Sequence, residues 1–247
     1  MTSDTGKRAL VTGGGTGIGR AIALRLAHAG FDVAIVYSRS QADAEETAGA
    51  ITALGRRALA IKADVSRSDE VAGAVRTTVS AFGGLDWLVN NAAITYQLPF
   101  SDLARVEDAM WDDLFAVNVR GVFDLSRAAA PFLAESSDGA ILTVGSIAGV
   151  TGFGSSLPYA VSKAAAHGLT RSLARALAPK IRVNAIAPGA VETRWWAGNE
   201  DKMKLLAGHV ALGRLSSVED VADTAFMTLS AKSMTGQIVI MDNGQTL

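Results

Sequence analysis

The sequence predicts an α/β protein built on a doubly wound, seven-stranded parallel sheet with helices on both of its faces. Short apolar runs rich in β-branched residues alternate with longer segments of helical periodicity along the 247 residues. Consecutive parallel strands need crossover connections, which are almost always right-handed, so this alternation covers both faces with helices. No linker rich in Pro, Gly or Ser divides the chain, and we expect residues 1–247 to form a single domain.

The predicted elements follow one another in a regular order. The first strand is predicted at Ala9–Val11, the first helix at Ile18–Ala29 and the second strand at Val33–Tyr37. The later elements are helix Gln41–Leu54, strand Ala58–Lys62, helix Ser68–Phe82, strand Leu85–Asn90, helix Trp111–Leu133, strand Ala140–Ser146, helix Pro158–Ala178, strand Ile181–Ala187, helix Val218–Ser230 and strand Gln237–Met241.

Residues 189–212 have no place in this repeat. Long irregular segments of compact domains are usually functional, and Trp195 and Trp196 offer a large apolar surface in this one. We therefore expect a substrate lid at about 189–212. Packing of the two indole rings against a neighbouring helix or subunit is the alternative.

The composition excludes several classes of function. Lys and Arg number 23 and Asp and Glu 24, so the formal net charge is −1, and no basic run favours nucleic acid. No segment approaches the roughly 20 apolar residues of a membrane span. The N-terminus has no apolar signal-peptide region, so we expect a cytoplasmic protein with neither a membrane nor a nucleic-acid partner. The chain lacks cysteine and its three histidines are widely spaced, so we expect no metal site.

A glycine-rich loop follows the first predicted strand and leads into the first helix. Glycines permit positive φ angles and a close approach of the backbone to a pyrophosphate, which then lies at the positive end of the helix dipole. A tight turn that merely requires glycine is the alternative, but the strand before the loop and the helix after it favour a dinucleotide site. The loop reads Thr12-Gly13-Gly14-Gly15-Thr16-Gly17-Ile18-Gly19, and the predicted contacts are Gly13, Thr16, Gly17, Ile18 and Gly19.

The end of the second strand predicts which dinucleotide is bound. An Asp or Glu there is typical of NAD sites, because it accepts hydrogen bonds from the ribose hydroxyls. This chain instead has Tyr37-Ser38-Arg39-Ser40, an uncharged end followed by one cation between two hydroxyl groups, which suits the 2′-phosphate of NADP. NADP(H) is therefore favoured over NAD(H), although a solvated loop charge is the alternative interpretation of Arg39.

Tyr159 and Lys163 form a candidate acid/base pair. They are four residues apart in a predicted helix and so lie on one face, about a turn apart. The ordinary pKa of a phenol is about 10, and a neighbouring cation favours the phenolate. A surface pair without chemical function has the same spacing. The position of Ser146 at the end of the fifth strand favours a catalytic role for the pair, because parallel sheets of this kind bind ligands at the carboxyl ends of their strands.

Taken together, these motifs resemble the classical short-chain dehydrogenase/reductase family over almost the whole chain. The cofactor loop, the Asn90-Asn91-Ala92-Ala93 segment after the fourth strand and the 13-residue separation of Ser146 from Tyr159 carry the resemblance. It implies a Rossmann fold with catalytic residues Asn118, Ser146, Tyr159 and Lys163. It also implies cofactor contacts from Asp64, Val65, Asn91, Ala92, Tyr159, Lys163, Pro188, Gly189, Val191 and Thr193.

The resemblance further implies a role for each catalytic residue. Tyr159 would donate a proton to the carbonyl oxygen, and Lys163 would lower the pKa of the phenol and bind the nicotinamide ribose. Ser146 would hold the carbonyl, and Asn118 would anchor a water leading from Lys163 to solvent. Two departures from the family pattern stand out: Thr16 replaces a basic residue common in NADP-binding members, and Asp242-Asn243-Gly244 replaces the usual Asp-Gly-Gly.

We expect an NADPH-dependent carbonyl reductase or alcohol dehydrogenase acting on a small molecule. The alternatives are a 3-oxoacyl-[acyl-carrier-protein] reductase of fatty-acid or polyketide synthesis, an enzyme of pteridine metabolism, and a non-catalytic regulator that senses the cofactor. The intact catalytic set argues against a regulator. Glu135 and Asp138 argue against carrier docking, since such reductases tend to carry basic residues there.

We also expect a homotetramer. The predicted helices Trp111–Leu133 and Pro158–Ala178 carry small residues that permit close packing across a two-fold axis. In the family that this chain resembles, these two helices usually form the main dimer contact.

Overall fold

The fold is a single seven-stranded sheet in which every neighbouring pair of strands is parallel. The computed structural model of the protein describes residues 6–193, 201 and 210–247. The strand order is β3-β2-β1-β4-β5-β6-β7. Successive strands are added on one side from β1 to β3 and on the other side from β4 to β7, which confirms the predicted doubly wound sheet. The strands are β1 (Arg8–Thr12), β2 (Asp32–Tyr37), β3 (Ala58–Lys62), β4 (Trp87–Asn90), β5 (Ala140–Val144), β6 (Arg182–Pro188) and β7 (Ile238–Met241).

Helices cover both faces of the sheet because neighbouring strand residues point to opposite sides. In β1, Ala9 and Val11 pack into the apolar cluster of one face and Leu10 into that of the other. The helices are α1 (Gly17–His28), α2 (Gln41–Ala53), α3 (Ser68–Phe82), α4 (Asp108–Phe115), α5 (Val122–Leu133), α6 (Ala148–Thr151), α7 (Leu157–Leu177) and α8 (Val218–Ser230). Helices α1, α2 and α8 cover the first face, and α3, α5 and α7 cover the second. In the ranges that the structure describes, no helix is both long and apolar enough to cross a bilayer.

One predicted helix is interrupted. The segment predicted as a continuous helix Trp111–Leu133 begins at Asp108 and contains a π-helical turn over Ala116–Gly121 between α4 and α5. A single inserted residue barely disturbs the apolar periodicity, so the pattern gave no sign of the turn. The turn lets Gly121 approach the second face closely, since a Cβ atom there would lie 2.7 Å from the carbonyl oxygen of Val65.

The predicted lid falls largely outside the described residues, and Trp195 and Trp196 lie there. At its start, Val191 forms an isolated parallel bridge with Ser216. The backbone nitrogen of Gly189 donates to Met241, the last residue of β7. Both contacts tie the start of the segment to the chain that follows it.

Charged side chains collect where the strands begin, an edge that we call the amino edge. Arg8 donates to the carboxylate of Asp86 at 2.8 Å. Asp32 is 1% exposed and pairs with Arg56 at 2.9 Å and Arg57 at 2.7 Å. Asp138 accepts from Lys7 and Arg182. Because all the strands are parallel, their carboxyl ends form the opposite edge, the carboxyl edge, where the predicted site residues lie.

Candidate active site

The glycine-rich loop turns sharply between β1 and α1. Gly13 has φ +63° and Gly17 has φ +51°, a region in which other residues are strained. Gly19 lies against the loop itself, since a Cβ atom there would stand 2.1 Å from the carbonyl oxygen of Gly13. Thr16 is the N-cap of α1, and its side chain makes no capping hydrogen bond. The loop thus presents the start of a helix without a side chain across it, while Ile18 packs against the first face.

Thr12 holds this loop to the end of β4. Its hydroxyl accepts hydrogen bonds from the backbone nitrogens of Asn91 and Ala92, both at 3.0 Å. The amide of Asn91 donates to the carbonyl oxygens of Thr12 at 2.8 Å and Gly13 at 3.2 Å. The amide hydrogens of Asn91 thus shape the loop, and its contact with the cofactor stays a prediction. The sequence argument also missed the bracing role of Thr12, a residue that it treated only as part of the motif.

The end of β2 is open to solvent on its charged side. Tyr37 is half-buried against the first face, while Ser38, Arg39 and Ser40 are exposed. Asp64, just after β3, has a pKa below its ordinary value, mainly because it accepts two hydrogen bonds from Ser66. The positive charge of Arg39 also lowers this pKa, so Arg39 lies near the end of β3. Arg39 and Asp64 therefore lie on one side of the predicted adenosine end, whereas Val65 is buried.

The end of β6 brings the predicted nicotinamide segment to the same edge. The carbonyl oxygen of Pro188 accepts from Ile147 at 3.0 Å, just after Ser146. A Cβ atom at Gly189 would stand 2.8 Å from that of Asp242, so the C-terminal turn packs directly on this segment. Thr193 lies beside Gly17, 3.7 Å from the position of a Cβ there.

The C-terminal departure from the family pattern is accommodated by an ordinary property of asparagine. Asn243 takes φ +54°, a left-handed conformation that asparagine adopts more readily than most residues. Its side-chain amide donates to the carbonyl oxygen of Arg214 at 2.7 Å. The turn thus keeps a conformation that would suit glycine.

Ser146, Tyr159 and Lys163 converge at the carboxyl end of β5. Tyr159 and Lys163 stand one turn apart on α7, and both are at least nine-tenths buried. The Nζ atom of Lys163 donates to the carbonyl oxygen of Val144 at 3.0 Å and lies 5.8 Å from the centre of the Tyr159 ring. The side chain of Ser146 forms a hydrogen bond with the phenol of Tyr159.

Burial governs the protonation of this pair. It raises the pKa of Tyr159 to about 12, against the hydrogen bond from Ser146, which lowers it. It lowers the pKa of Lys163 to about 8. Burial, which disfavours the phenolate, is the larger of the two causes. The lowering of the phenol pKa by Lys163 that the resemblance implies stays a prediction. The phenol is neutral at neutral pH.

Asn118 lies in the π-helical turn, 2% exposed. Its Oδ1 accepts from the backbone nitrogen of Ile94 at 3.0 Å, and its Nδ2 donates to the carbonyl oxygen of Ile94 at 3.1 Å and to the hydroxyl of Ser162 at 3.0 Å. Both amide hydrogens are thus used inside the protein. Ser162, which the motif analysis passed over, joins Asn118 to the helix that carries Tyr159 and Lys163.

His167 is a second residue that sequence reasoning missed. It follows Lys163 by one helical turn, is 3% exposed and packs edge-on against Gly145, where a Cβ atom would stand 2.3 Å from its Nε2. Burial, with the charges of Lys163 and Arg171, lowers the pKa of His167 to about 4, against a hydrogen bond to the backbone of Gly149. A neutral imidazole therefore supports the turn on both sides of Ser146.

These features fit a dinucleotide better than a metal ion. The uncapped start of α1 and the side-chain-free backbone at Gly13 and Gly19 match what a pyrophosphate requires. Over the ranges that the structure describes, no three His, Asp or Glu side chains are grouped as metal ligands.

Known proteins share this arrangement. The sequence profile of the short chain dehydrogenase family matches residues 7–204. The chain is 41% identical over 243 residues to a Streptomyces violaceoruber protein assigned as ketoacyl reductase 2 of the granaticin polyketide synthase, covering 97% of this chain and 96% of that protein. It is 39% identical over 242 residues to 3-oxoacyl-[acyl-carrier-protein] reductase FabG of Staphylococcus aureus, with 96% and 97% covered. A short chain dehydrogenase from Burkholderia cenocepacia, solved with NADP, superposes with a TM-score of 0.90 at 38% identity, and the match covers 98% of each chain.

Proposed function

This chain belongs to the short chain dehydrogenase family and is an NAD(P)-dependent oxidoreductase acting on carbonyl or hydroxyl groups, and we propose that it is an NADPH-dependent reductase of small ketones. The observation that carries the proposal is the neutral phenol of Tyr159, hydrogen-bonded to Ser146 at the carboxyl edge. Reduction of a carbonyl needs a proton donor at the oxygen, and a phenol that stays protonated at neutral pH is such a donor.

Arg39 supports the choice of NADP(H). The end of β2 carries no carboxylate that would accept hydrogen bonds from the ribose hydroxyls of NAD and repel the 2′-phosphate of NADP. The exposed guanidinium of Arg39 beside it can pair with that phosphate. The bound NADP of the Burkholderia cenocepacia relative agrees with this choice. The loop at Gly13 to Gly19 would hold the pyrophosphate, and the bound nicotinamide would supply the hydride.

The remaining residues position the reacting oxygen. Ser146 donates a hydrogen bond toward the phenol oxygen and would hold the carbonyl of the substrate at the same place. Lys163, fixed by the carbonyl oxygen of Val144, would bind the nicotinamide ribose. Since the amide hydrogens of Asn118 are engaged, a water on the path from Lys163 would be held by the remaining acceptors of the π-helical turn. In this proposal the side chain of Asn118 has a structural role, since it joins the π-helical turn to Ile94 and Ser162.

The test is a panel of ketones, diketones, 3-oxoacyl thioesters and sugars, followed by absorbance with NADPH and with NADH. We expect ketone reduction with NADPH preferred. Tyr159→Phe should lower kcat by roughly 100-fold or more while the Kd of NADPH, measured by fluorescence, stays within about twofold. A variant that keeps more than about a tenth of the kcat contradicts the proton-donor role.

A second candidate is reduction of 3-oxoacyl groups on acyl carrier protein, which the similarity to FabG of Staphylococcus aureus favours. The expectation that Asp138 would repel an acidic carrier loses its basis, because this carboxylate is neutralised by Lys7 and Arg182 at the amino edge. Among the basic residues of α5, Arg127 is paired with Asp124 at 2.7 Å. Comparison of carrier-bound with free 3-oxoacyl thioesters in the same panel separates the two activities.

A further inference from the structure

Two loops meet beside Tyr159 and are fastened to each other. One joins β4 to α4 and the other joins α6 to α7. The hydroxyl groups of Thr95 and Ser155 form a hydrogen bond between them. The backbone nitrogen of Leu98 donates to the carbonyl oxygen of Ser155 at 2.9 Å. The two loops therefore form one wall.

Each loop contributes a phenylalanine to this wall. The rings of Phe100 and Phe153 stack with their centres 4.8 Å apart and their planes 34° apart. Phe100 is half-buried and packs on the small apolar cluster that contains Tyr159 and Leu114. Phe153 is 69% exposed. Phe153 thus contacts Phe100 on one side and leaves most of its surface open to a ligand.

The wall is adjacent to the reacting phenol. Gly154 follows Phe153, and a Cβ atom at Gly154 would stand 3.3 Å from Cδ1 of Tyr159 and 2.8 Å from the Cβ of Ala148. A side chain at Gly154 would collide with Ala148, so a glycine lets the loop lie beside the tyrosine ring. Phe100 shares the apolar cluster of Tyr159, and Phe153 directly precedes Gly154, so both phenylalanines belong to segments that border the tyrosine ring.

One of the two chain segments that form the wall carries excess negative charge. Residues 94–115 hold five carboxylates, on Asp102, Glu107, Asp108, Asp112 and Asp113, against the single cation of Arg105. Arg105 lies 3.5 Å from Asp102, and Asp113 accepts a hydrogen bond from Tyr96 at 2.6 Å. Residues 146–158 carry no ionisable side chain. An anionic substrate would meet repulsion here and would find no unpaired cation in these two segments.

We propose that Phe100 and Phe153 form a binding subsite for an aromatic ring, and that the preferred substrates are uncharged ketones with an aryl group on the carbonyl. This inference rests on the proposed ketone reduction and names its substrate class. A flat ring stacks on Phe153 over its whole face, whereas a puckered aliphatic ring of the same size touches it at a few hydrogens.

The first experiment compares methyl phenyl ketone with methyl cyclohexyl ketone, which differ in flatness and little in size. We expect kcat/KM with NADPH to favour the phenyl ketone by roughly five- to tenfold, the size of one good aromatic contact. Phe153→Leu should bring the ratio near one, and Phe153→Tyr should keep it. Val150→Ala, at an exposed apolar position of neighbouring α6, is the matched control and should leave the ratio unchanged.

A binding measurement serves as a readout independent of turnover. In saturation-transfer difference NMR with 1-phenylethanol and the wild-type protein, the ring protons should receive more magnetisation than the methyl protons, and Phe153→Leu should remove that excess. Equal kcat/KM for the two ketones, or an unchanged ratio in Phe153→Leu, overturns the aromatic subsite and leaves ketone reduction standing. Reduction of the 3-oxoacyl thioesters alone, with no reduction of the simple ketones in the panel, overturns the proposed function as well.

The charge requirement has its own comparison. Methyl benzoylformate and the benzoylformate anion share the aryl ketone and differ in one charge. We expect kcat/KM to favour the ester by at least about tenfold at low ionic strength, with the preference shrinking as salt screens the carboxylates. Equal use of the two at low salt overturns the preference for uncharged substrates.

Discussion

Replacing Thr12 by valine should destabilise the protein although the two side chains have the same shape. Thr12 is 1% exposed, and its hydroxyl accepts from the backbone nitrogens of Asn91 and Ala92 at 3.0 Å. Valine would leave both donors, which are part-buried, without this partner. A fully buried unsatisfied group costs about 1 to 3 kcal/mol and a part-buried one less, so we expect a total loss of about 1 to 3 kcal/mol in the free energy of unfolding.

Serine at the same position is the matched control. Thr12→Ser keeps the acceptor and removes one methyl group, worth about 0.8 kcal/mol of burial. Guanidinium unfolding followed by circular dichroism measures the stability of both variants, and a fluorescence titration with NADPH measures the affinity of the adjoining loop. We expect the valine variant to be the less stable and to bind NADPH more weakly.

A free energy of unfolding of Thr12→Val within about 0.5 kcal/mol of the wild-type value contradicts this expectation, as does a serine variant that is less stable than the valine variant. Either result would mean that the packing of the threonine methyl group, and not its hydroxyl, holds the ends of β1 and β4 together.

Three further predictions concern cofactor choice and pH. Arg39→Ala should remove most of the preference for NADPH over NADH, and Tyr37→Asp should reverse it; kcat/KM ratios decide, and an unchanged ratio in Arg39→Ala means that other residues read the phosphate. Hydrogen bonds from Arg214 and from the Ser217 backbone lower the pKa of Asp220 to about 2, so Asp220→Asn should cost about 1 kcal/mol at pH 7, a typical capping contribution. That difference should disappear in denaturation curves as the pH falls from about 4 to about 2. Burial holds the pKa of His167 near 4, below the ordinary 6.5, so the unfolded chain binds the extra proton first. Wild-type stability should therefore fall between about pH 6.5 and pH 4, by roughly 3 kcal/mol, and His167→Leu should flatten that slope.

Much of the fold follows from two periodicities in the sequence. The seven strands and the helices that cover them were predicted in the right order, because each strand is a short apolar run and each helix has an apolar stripe. The π-helical turn at Asn118 could not be predicted, since one extra backbone residue leaves that stripe in place. The four-residue helix α6 was missed for a related reason: it is too short to show any period.

The site was predictable as a set of residues and less so as a set of contacts. Spacing placed Tyr159 and Lys163 on one helical face, and the strand end placed Ser146 opposite them. Spacing does not show whether a polar side chain is already hydrogen-bonded within the protein. The internal hydrogen bonds of the Asn91 and Asn118 side-chain amides therefore came only from the structure. The upward shift in the pKa of Tyr159 came only from the structure, because the depth of burial of a single phenol is a property of the packed fold.

The length of the strands separates the buried ion pairs from the candidate active site. The buried carboxylates Asp32 and Asp86 lie at the amino edge, whereas Tyr159 and Ser146 lie at the carboxyl edge, roughly 15 to 20 Å away for strands of this length. Directed evolution of this enzyme can therefore treat the two edges as independent libraries. Substitutions that strengthen the amino edge for use in heat or solvent should combine additively with substitutions at Phe153 that change the substrate, since sites this far apart share no side chain.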